Sequence, residues 1–171
     1  MQKTEKVNPM SQVKVEKVTL NIGVGEIGEG VEKAVNLLEK LTGKKAKKTT
    51  ASDNAKSFGV REGLEIGAKV TLRGEDAVEF LEKALQTKEN IKSKWFDTQG
   101  NFSFGIDEYF DLPHVKYDPE IGIIGFDVAV TLERKGTPTR NTKGKEMSKE
   151  YKIDREEATE FVKEKFGVEV K

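Results

Sequence analysis

Residues 67–74, GAKVTLRG, show the pattern that decides the fold. Apolar side chains alternate with polar ones along this stretch: Ala68, Val70 and Leu72 against Lys69, Thr71 and Arg73. The same alternation is present near the end of VKVEKVTLNI (13–22) and in NFSFGI (101–106) and FDVAVTLE (126–133). A period of two indicates β-strands with one buried and one exposed face. Parallel strands buried on both faces would read as unbroken apolar runs, so the pattern predicts a mostly antiparallel sheet that is covered on one face.

Amphipathic segments between these strands predict the cover. Apolar residues recur at helical spacing at Val31, Ala34, Val35, Leu38 and Leu41, and again at Val78, Leu81 and Leu85. Gly43 is placed to end the first helix, and Asp154 with Glu157 has the pattern of a capping box at the start of a last helix, 154–166. We therefore predict one α+β domain over residues 1–171. Its sheet has helices on one face and an open polar face, with a short or flexible segment at 1–12 and a basic loop at 134–152.

Composition excludes several classes of protein. The 171 residues contain no cysteine, so disulfides, thiolate metal sites and a cysteine nucleophile are excluded. No apolar run approaches the roughly 20 residues of a membrane span, and the N-terminus lacks the apolar core of a signal peptide. We therefore expect a cytoplasmic protein without a membrane partner.

The net charge of zero conceals a segregation of charge along the chain. Residues 40–48 hold five lysines and no acid, and residues 134–152 hold seven basic side chains against two acidic ones. Residues 75–127 hold twelve acidic side chains against five lysines. Such a chain can present a positive face although its total charge cancels.

The polar face of the predicted sheet favours RNA binding. Its outward residues are Lys17, Thr19 and Asn21 on the first strand and Lys69, Thr71 and Arg73 on a later one, with Asn101 and Ser103 as a possible extension. The neighbouring lysine run adds Lys44, Lys45, Lys47 and Lys48. Amide, hydroxyl and cationic donors suit the phosphates and 2′-hydroxyls of folded RNA. No aromatic residue points outward, so the pattern favours recognition of RNA shape over stacking of bases. The alternative is an ordinary solvated face.

A long loop precedes the strand of the opening motif. From about Thr50 to Ile66 it exceeds the roughly 12–15 residues beyond which structureless loops are usually functional or disordered. Its glycines supply mobility, and Lys56 and Arg61 could contact a polyanion. The alternative is a disordered surface loop.

Two other functions compete with RNA binding. GVGEIG (23–28) is a GxGxxG between a strand and a helix, which is the context of a dinucleotide site. Acidic Glu26 and Glu29, a lysine run where a ribose-binding acid would stand, and the alternating strands weaken this interpretation. The second alternative is a protein-interaction module that uses the acidic middle of the chain. His114 is the only histidine, and no catalytic pair or metal-ligand cluster is evident, so we expect no enzyme and no cofactor.

Five segments together resemble one family. They are VEKVTLNIGVGE (15–26), LTGKKAKKT (41–49), AKSFGVREGLEIGAKVTLRG (55–74), FDTQGNFSFGI (96–106) and YDPEIGIIGFDVAVTL (117–132). In this order they resemble the L-five family of large-subunit ribosomal proteins, in its archaeal form.

This resemblance implies a non-enzymatic role in the ribosome. Its members bind 5S rRNA and attach it to the large-subunit rRNA in the central protuberance, among neighbouring proteins. They also contact a small-subunit head protein across an intersubunit bridge, and a loop reaches the P-site tRNA. On this chain the resemblance assigns 5S rRNA contacts to Asn21, Thr71 and Arg73, and rRNA contacts to the lysine run. The tRNA loop would span 52–63 and use Ser52, Asn54, Lys56, Ser57, Phe58 and Arg61.

Overall fold

Five strands pair antiparallel in one sheet. The computed structural model describes residues 8–25, 28–53, 55, 59–88, 90–113, 115–136 and 151–170. Its strands are β1 (Val13–Gly23), β2 (Lys47–Thr50), β3 (Glu65–Arg73), β4 (Asn90–Ile91), β5 (Phe102–Ile106), β6 (Phe126–Arg134) and β7 (Glu169–Val170). The sheet has the order β2-β3-β1-β6-β5, and β4 and β7 form a separate parallel pair. The predicted α+β class with a mostly antiparallel sheet is confirmed.

Helices cover one face of this sheet. Among the described residues they are α1 (Glu29–Thr42), α2 (Glu75–Thr87) and α3 (Arg155–Phe166). Helix α1 packs on β3, and α2 packs on β1 and β3. Inward side chains of the strands and apolar side chains of all three helices form one buried cluster, which includes Val18, Leu20, Leu38, Leu72, Leu81 and Val162. None of the helices in the described part of the chain is long and apolar enough to cross a membrane.

The ends of two helices test the predicted capping signals. Gly43 ends α1 in the left-handed conformation (φ 65°), and its N–H donates to the Glu39 carbonyl at 2.8 Å, as predicted. Asp154 precedes α3 but its side chain makes no capping hydrogen bond, so the predicted capping box is wrong. The carboxylate of Glu157 instead accepts a hydrogen bond from Arg134 Nη2 at 2.7 Å. A charge-assisted bond to arginine is stronger than one to a neutral backbone N–H.

Arg134 also connects the N-terminal segment to the sheet by hydrogen bonds. Its Nη1 donates to the Ser11 carbonyl at 2.6 Å, and its Nε donates to the Tyr151 carbonyl at 3.2 Å. Ser11 ends a short 3₁₀ helix, Pro9–Ser11. The second half of the predicted 1–12 segment is therefore held in place, while residues 1–7 and most of the predicted basic loop, 137–150, lie outside the described residues.

Strand β1 contains a β-bulge, and the alternation of its sequence is broken at the same place. Val15 pairs with Leu132 of β6 and Lys17 pairs with the preceding residue of β6, so Glu16 is the extra residue. Val15 and Val18 are both buried, although strict alternation would put residues three apart on opposite faces. The bulge corrects this mismatch, as an inserted residue shifts the phase of a strand.

Candidate nucleic-acid interface

The open face of the sheet carries polar residues in paired rows on β1, β2 and β3. Between β1 and β3, Lys17 lies opposite Arg73, Thr19 opposite Thr71, and Asn21 opposite Lys69. Between β2 and β3, Lys47 lies opposite Lys69. We call these residues the polar ladder. All six residues that the alternation predicted on β1 and β3 are members of it. Directly opposed residues have Cβ atoms about 5 Å apart, so the ladder is one continuous patch three strands wide.

Beyond β1 the open face loses its basic character. Asp127 of β6 lies opposite Asn21, and Ala129 lies opposite Thr19. Ser103 of β5 lies opposite Ala129 and is exposed, which agrees with its predicted outward direction. The cations are therefore concentrated on the half of the face formed by β2, β3 and β1. None of the outward residues on the described strands is aromatic, so this face offers no stacking platform.

The cations of the ladder differ in their partners. The Nη1 of Arg73 donates to Glu16 Oε1 at 3.0 Å, and Lys17 Nζ lies 3.8 Å from the same oxygen. Lys47 and Lys69 are exposed, and neither has an ion pair with any residue that the structure describes. These two lysines are thus available to an external anion, whereas Arg73 and Lys17 share an internal one.

The lysine run divides between two sides of the sheet. Lys48 lies opposite buried Ala68, and its ammonium bonds to Glu32 of α1 and lies 3.1 Å from Glu65. Hydrogen bonds to Glu32 and then Glu65 raise the pKa of Lys48 above its ordinary value. Its ammonium is therefore committed to carboxylates, unlike that of Lys47.

The first two lysines of the run divide in the same way. Lys44 bonds to Asp76 in the first turn of α2. Lys45 is exposed and has no ion pair within the described part of the chain. Lys45 and Lys47 are thus the members of the run with uncommitted charge.

The loop between β2 and β3 has a closed base. The Ala51 N–H donates to the Leu64 carbonyl at 2.8 Å, and the Gly63 N–H donates to the Ala51 carbonyl at 3.0 Å. Ser52 and Arg61 are exposed just beyond this closure. Four other predicted loop residues lie outside the described residues: Asn54, Lys56, Ser57 and Phe58. The closure shortens the unpaired part of the predicted loop, because the β2–β3 pairing continues past both strands.

Val24 and Gly25, the described residues directly after β1, do not form a nucleotide cradle. The N–H groups of Val24 and Gly25 both donate to the Ile66 carbonyl, at 2.9 and 3.1 Å, so neither is available to a phosphate. Both neighbours of β1 are antiparallel, whereas a dinucleotide site needs a parallel βαβ unit. A close backbone approach occurs opposite β1 at Gly67, where a Cβ would lie 2.4 Å from the Ile22 carbonyl oxygen.

Two family models match the chain, one after the other. The model for "Ribosomal protein L5" matches residues 8–61, and the model for the C-terminus of the same ribosomal protein family matches residues 65–163. The chain belongs to the ribosomal protein L5 family. The family that the sequence resemblance indicated is confirmed.

Archaeal members of the L5 family are similar over nearly the whole chain. The large ribosomal subunit protein uL5 of Sulfurisphaera tokodaii is 49% identical, covering 99% of this chain and 98% of the relative. Its counterpart in Sulfolobus acidocaldarius is 47% identical, covering 99% and 97%. That of Thermoplasma acidophilum is 44% identical, covering 96% and 99%. The predicted archaeal type is confirmed.

Membership in the L5 family decides the class of function. The family consists of structural ribosomal proteins, so the protein is a ribosomal component of the cytoplasm and not an enzyme. The dinucleotide-enzyme alternative is therefore wrong.

Three residues change the expected composition of the open face. The Oδ1 of Asn101 accepts from the Leu132 N–H at 3.3 Å and its Nδ2 donates to Asp97 at 3.1 Å, so Asn101 does not extend the ladder. Glu16 and Asp127 were not predicted as parts of the face. The alternation of FDVAVTLE does mark Asp127 as outward, and the phase break in VKVEKV marks the bulge at Glu16.

Proposed function

We propose that the protein binds 5S rRNA through the polar ladder and attaches it to the large-subunit rRNA in the central protuberance. The observation that supports this most is the pairing of Asn21, Thr71 and Arg73 with Lys69, Thr19 and Lys17 on one open face. Residues that family resemblance and strand periodicity select separately are thus neighbours in space. This function gives the structural role of the L5 family a specific RNA ligand.

The chemistry of the ladder suits the backbone of folded RNA. Hydroxyl and amide groups of Thr19, Thr71 and Asn21 can donate to phosphate oxygens or exchange hydrogen bonds with 2′-hydroxyls. Lys47 and Lys69 supply charge at the β2 side of the patch. Because neighbouring strands are about 4.8 Å apart, the three-stranded patch is wide enough to contact two successive phosphates. Recognition would depend on RNA shape.

A second contact of the proposed function is made by the loop of residues 52–63. Hydrogen bonds close the base of this loop, and Ser52 and Arg61 are exposed just beyond that base. Arginine is well suited to phosphate because of its fork of donors. We therefore propose that this loop contacts P-site tRNA, with Ser52, Asn54, Lys56, Ser57, Phe58 and Arg61 as the contributing residues.

The acidic middle of the chain is available for protein partners. Residues 75–127 carry an excess of acids, and Tyr117 and Ile123 expose large apolar side chains within it. Such a surface suits proteins better than RNA, because acidic groups repel phosphate. We propose that it faces the small-subunit head protein across an intersubunit bridge and the neighbouring proteins of the central protuberance.

The test is capture of RNA by the purified protein. Immobilised protein is incubated with total RNA from an archaeon, and the retained RNA is sized and sequenced. We expect 5S rRNA to be enriched, with an affinity that falls steeply as salt rises, by a slope of roughly −0.7 to −0.9 per phosphate contacted. Retention of all RNAs in proportion to their abundance would contradict the proposal.

A matched pair of triple variants tests the site. The first replaces Asn21, Thr71 and Arg73 by alanine. The second replaces Asn36, Thr87 and Lys83 by alanine, which removes the same kinds of group from helices on the other side of the sheet. We expect only the first to lose 5S rRNA binding. Equal binding by the two variants would exclude the polar ladder as the site.

A further inference from the structure

Two cations of the polar ladder face each other across β1 and β3. Lys17 and Arg73 are directly opposed, and like charges in this relation destabilise a sheet. The Oε1 of Glu16 relieves the repulsion, because it lies 3.0 Å from Arg73 Nη1 and 3.8 Å from Lys17 Nζ. One carboxylate oxygen therefore serves both cations.

The β-bulge is what brings this carboxylate to the open face. In a regular strand Glu16 and Lys17 would point to opposite faces, since successive side chains alternate. Glu16 is the extra residue of the bulge between Val15 and Lys17, so its side chain can lie on the same face as that of Lys17. Bulges often re-aim a side chain beside a functional site. This one introduces an acid directly beside Lys17 and Arg73, on the half of the face that also carries Lys47 and Lys69.

We propose that Glu16 holds the place of an RNA phosphate, which must displace its carboxylate from Arg73 and Lys17 on binding. This inference rests on the proposed function of the ladder. Carboxylate and phosphate oxygens are both anionic acceptors for a guanidinium and an ammonium, so one can replace the other. The Arg73 side chain is 60% exposed, which leaves it open to exchange of its partner.

Displacement of Glu16 would act as a filter for RNA. A folded RNA that fits the whole ladder offsets the lost ion pairs with contacts to Asn21, Thr71 and Lys69. An RNA that reaches only Arg73 and Lys17 exchanges one anion for another and gains little. Glu16 would therefore weaken binding of unrelated RNA more than binding of the cognate RNA, which is specificity obtained by repulsion.

The test variant is Glu16→Gln, which removes the charge and keeps an acceptor oxygen for Arg73. We expect the full-length variant to bind 5S rRNA about two- to fivefold more tightly, the range typical of an exposed ion pair. We expect the slope of log K against log salt to stay the same, because the same phosphate reaches Arg73 and Lys17 in both proteins. Affinity for an unrelated folded RNA of equal length should rise by more, which lowers selectivity.

Glu79→Gln is the matched control. Glu79 pairs with Lys83 at 2.6 Å on the surface of α2, which packs on the covered face of the sheet. The control makes the same change in net charge and also breaks one ion pair. We expect it to leave affinity, salt slope and selectivity unchanged, so an equal gain from Glu79→Gln would overturn the inference. Weaker binding by Glu16→Gln would overturn it as well, and so would a salt slope steeper by about 0.7–0.9, which would mean that Arg73 reaches a phosphate only when the carboxylate charge is absent.

Arg73→Ala separates this inference from the proposed function. If Arg73→Ala weakens 5S rRNA binding but Glu16→Gln changes nothing, the ladder binds RNA and only the role of Glu16 is wrong. If neither variant changes binding, the ladder is not the RNA site and the proposed function fails there. We further expect the gain from Glu16→Gln to shrink in the Arg73→Ala background, as for two residues that act through one contact.

Discussion

Gly67 and Gly23 provide a matched pair of positions at which the same substitution should have opposite effects. They face each other across β3 and β1, and neither has a positive φ. A Cβ on Gly67 would lie 2.4 Å from the Ile22 carbonyl oxygen and 2.9 Å from Thr49 Oγ1. A Cβ on Gly23 would have nothing within 4 Å. Substitution by alanine therefore introduces a steric clash at one position and none at the other.

The sizes of the two effects follow from this geometry. The Ile22 carbonyl belongs to the backbone of β1 and cannot retreat without disturbing the β1–β3 pairing. Overpacking of this kind costs about 1–3 kcal/mol, so for a chain of this size we expect Gly67→Ala to lower the melting temperature by roughly 3–10 °C. At Gly23 alanine only reduces the freedom of the unfolded chain. It should leave stability unchanged or raise it by up to about 1 kcal/mol.

The assay is thermal and urea denaturation of both variants beside the unsubstituted protein, followed by circular dichroism. A shift of the urea midpoint without a change in slope would show that stability has changed and not the extent of unfolding. Equal melting temperatures for the two variants would contradict this prediction, because the close approach at Gly67 would then carry no cost. A destabilised Gly23→Ala with an unaffected Gly67→Ala would contradict it more strongly.

Three further predictions concern ionic contacts. Arg134→Met should cost about 2–3 kcal/mol in urea denaturation, since it removes donors to two backbone carbonyls and one carboxylate; full stability would contradict the role of Arg134. The hydrogen bond from Lys40 lowers the pKa of Asp118 below its usual 3.8. The ion pair therefore stabilises the fold fully above the ordinary pKa of Asp118, and this stabilisation is lost as pH falls through the lower folded-state pKa. In Asp118→Asn, the melting temperature should therefore fall less steeply as the solution is acidified. In filter binding, Lys47→Ala should reduce the salt slope for 5S rRNA by about 1, and Lys48→Ala should not, because its ammonium is held by carboxylates.

Most of the fold and about half of the candidate site can be predicted from the sequence. The alternation of GAKVTLRG correctly predicts that Ala68, Val70 and Leu72 are buried and that the three residues between and after them are exposed. The lysine run could not be divided in the same way. The letters KKAKK around Ala46 show no period. Only the pairing of Lys48 with buried Ala68 shows that Lys48 points to the covered face and Lys47 to the open face.

The error at the start of α3 has a similar origin. Asp154 and Glu157 have the spacing of a capping box, and that local preference is worth about 1 kcal/mol. Arg134 is more than twenty residues away in the chain, yet its guanidinium lies within hydrogen-bond distance of Glu157. A local pattern cannot anticipate a partner that only folding brings near.

Which side chains share a face is already fixed in the order of the residues, because successive Cβ atoms of a strand point to opposite sides whatever the strand pairs with. The end of α1 is fixed there too, because Gly43 readily adopts the left-handed conformation that a helix end requires. Which residues stand opposite each other depends instead on the folded chain. The order β2-β3-β1-β6-β5 and its registers arise from contacts between distant segments, and they place Lys17 against Arg73 with Glu16 between them. The composition of the face is thus a local property of the strands, and its electrostatics are a property of their packing.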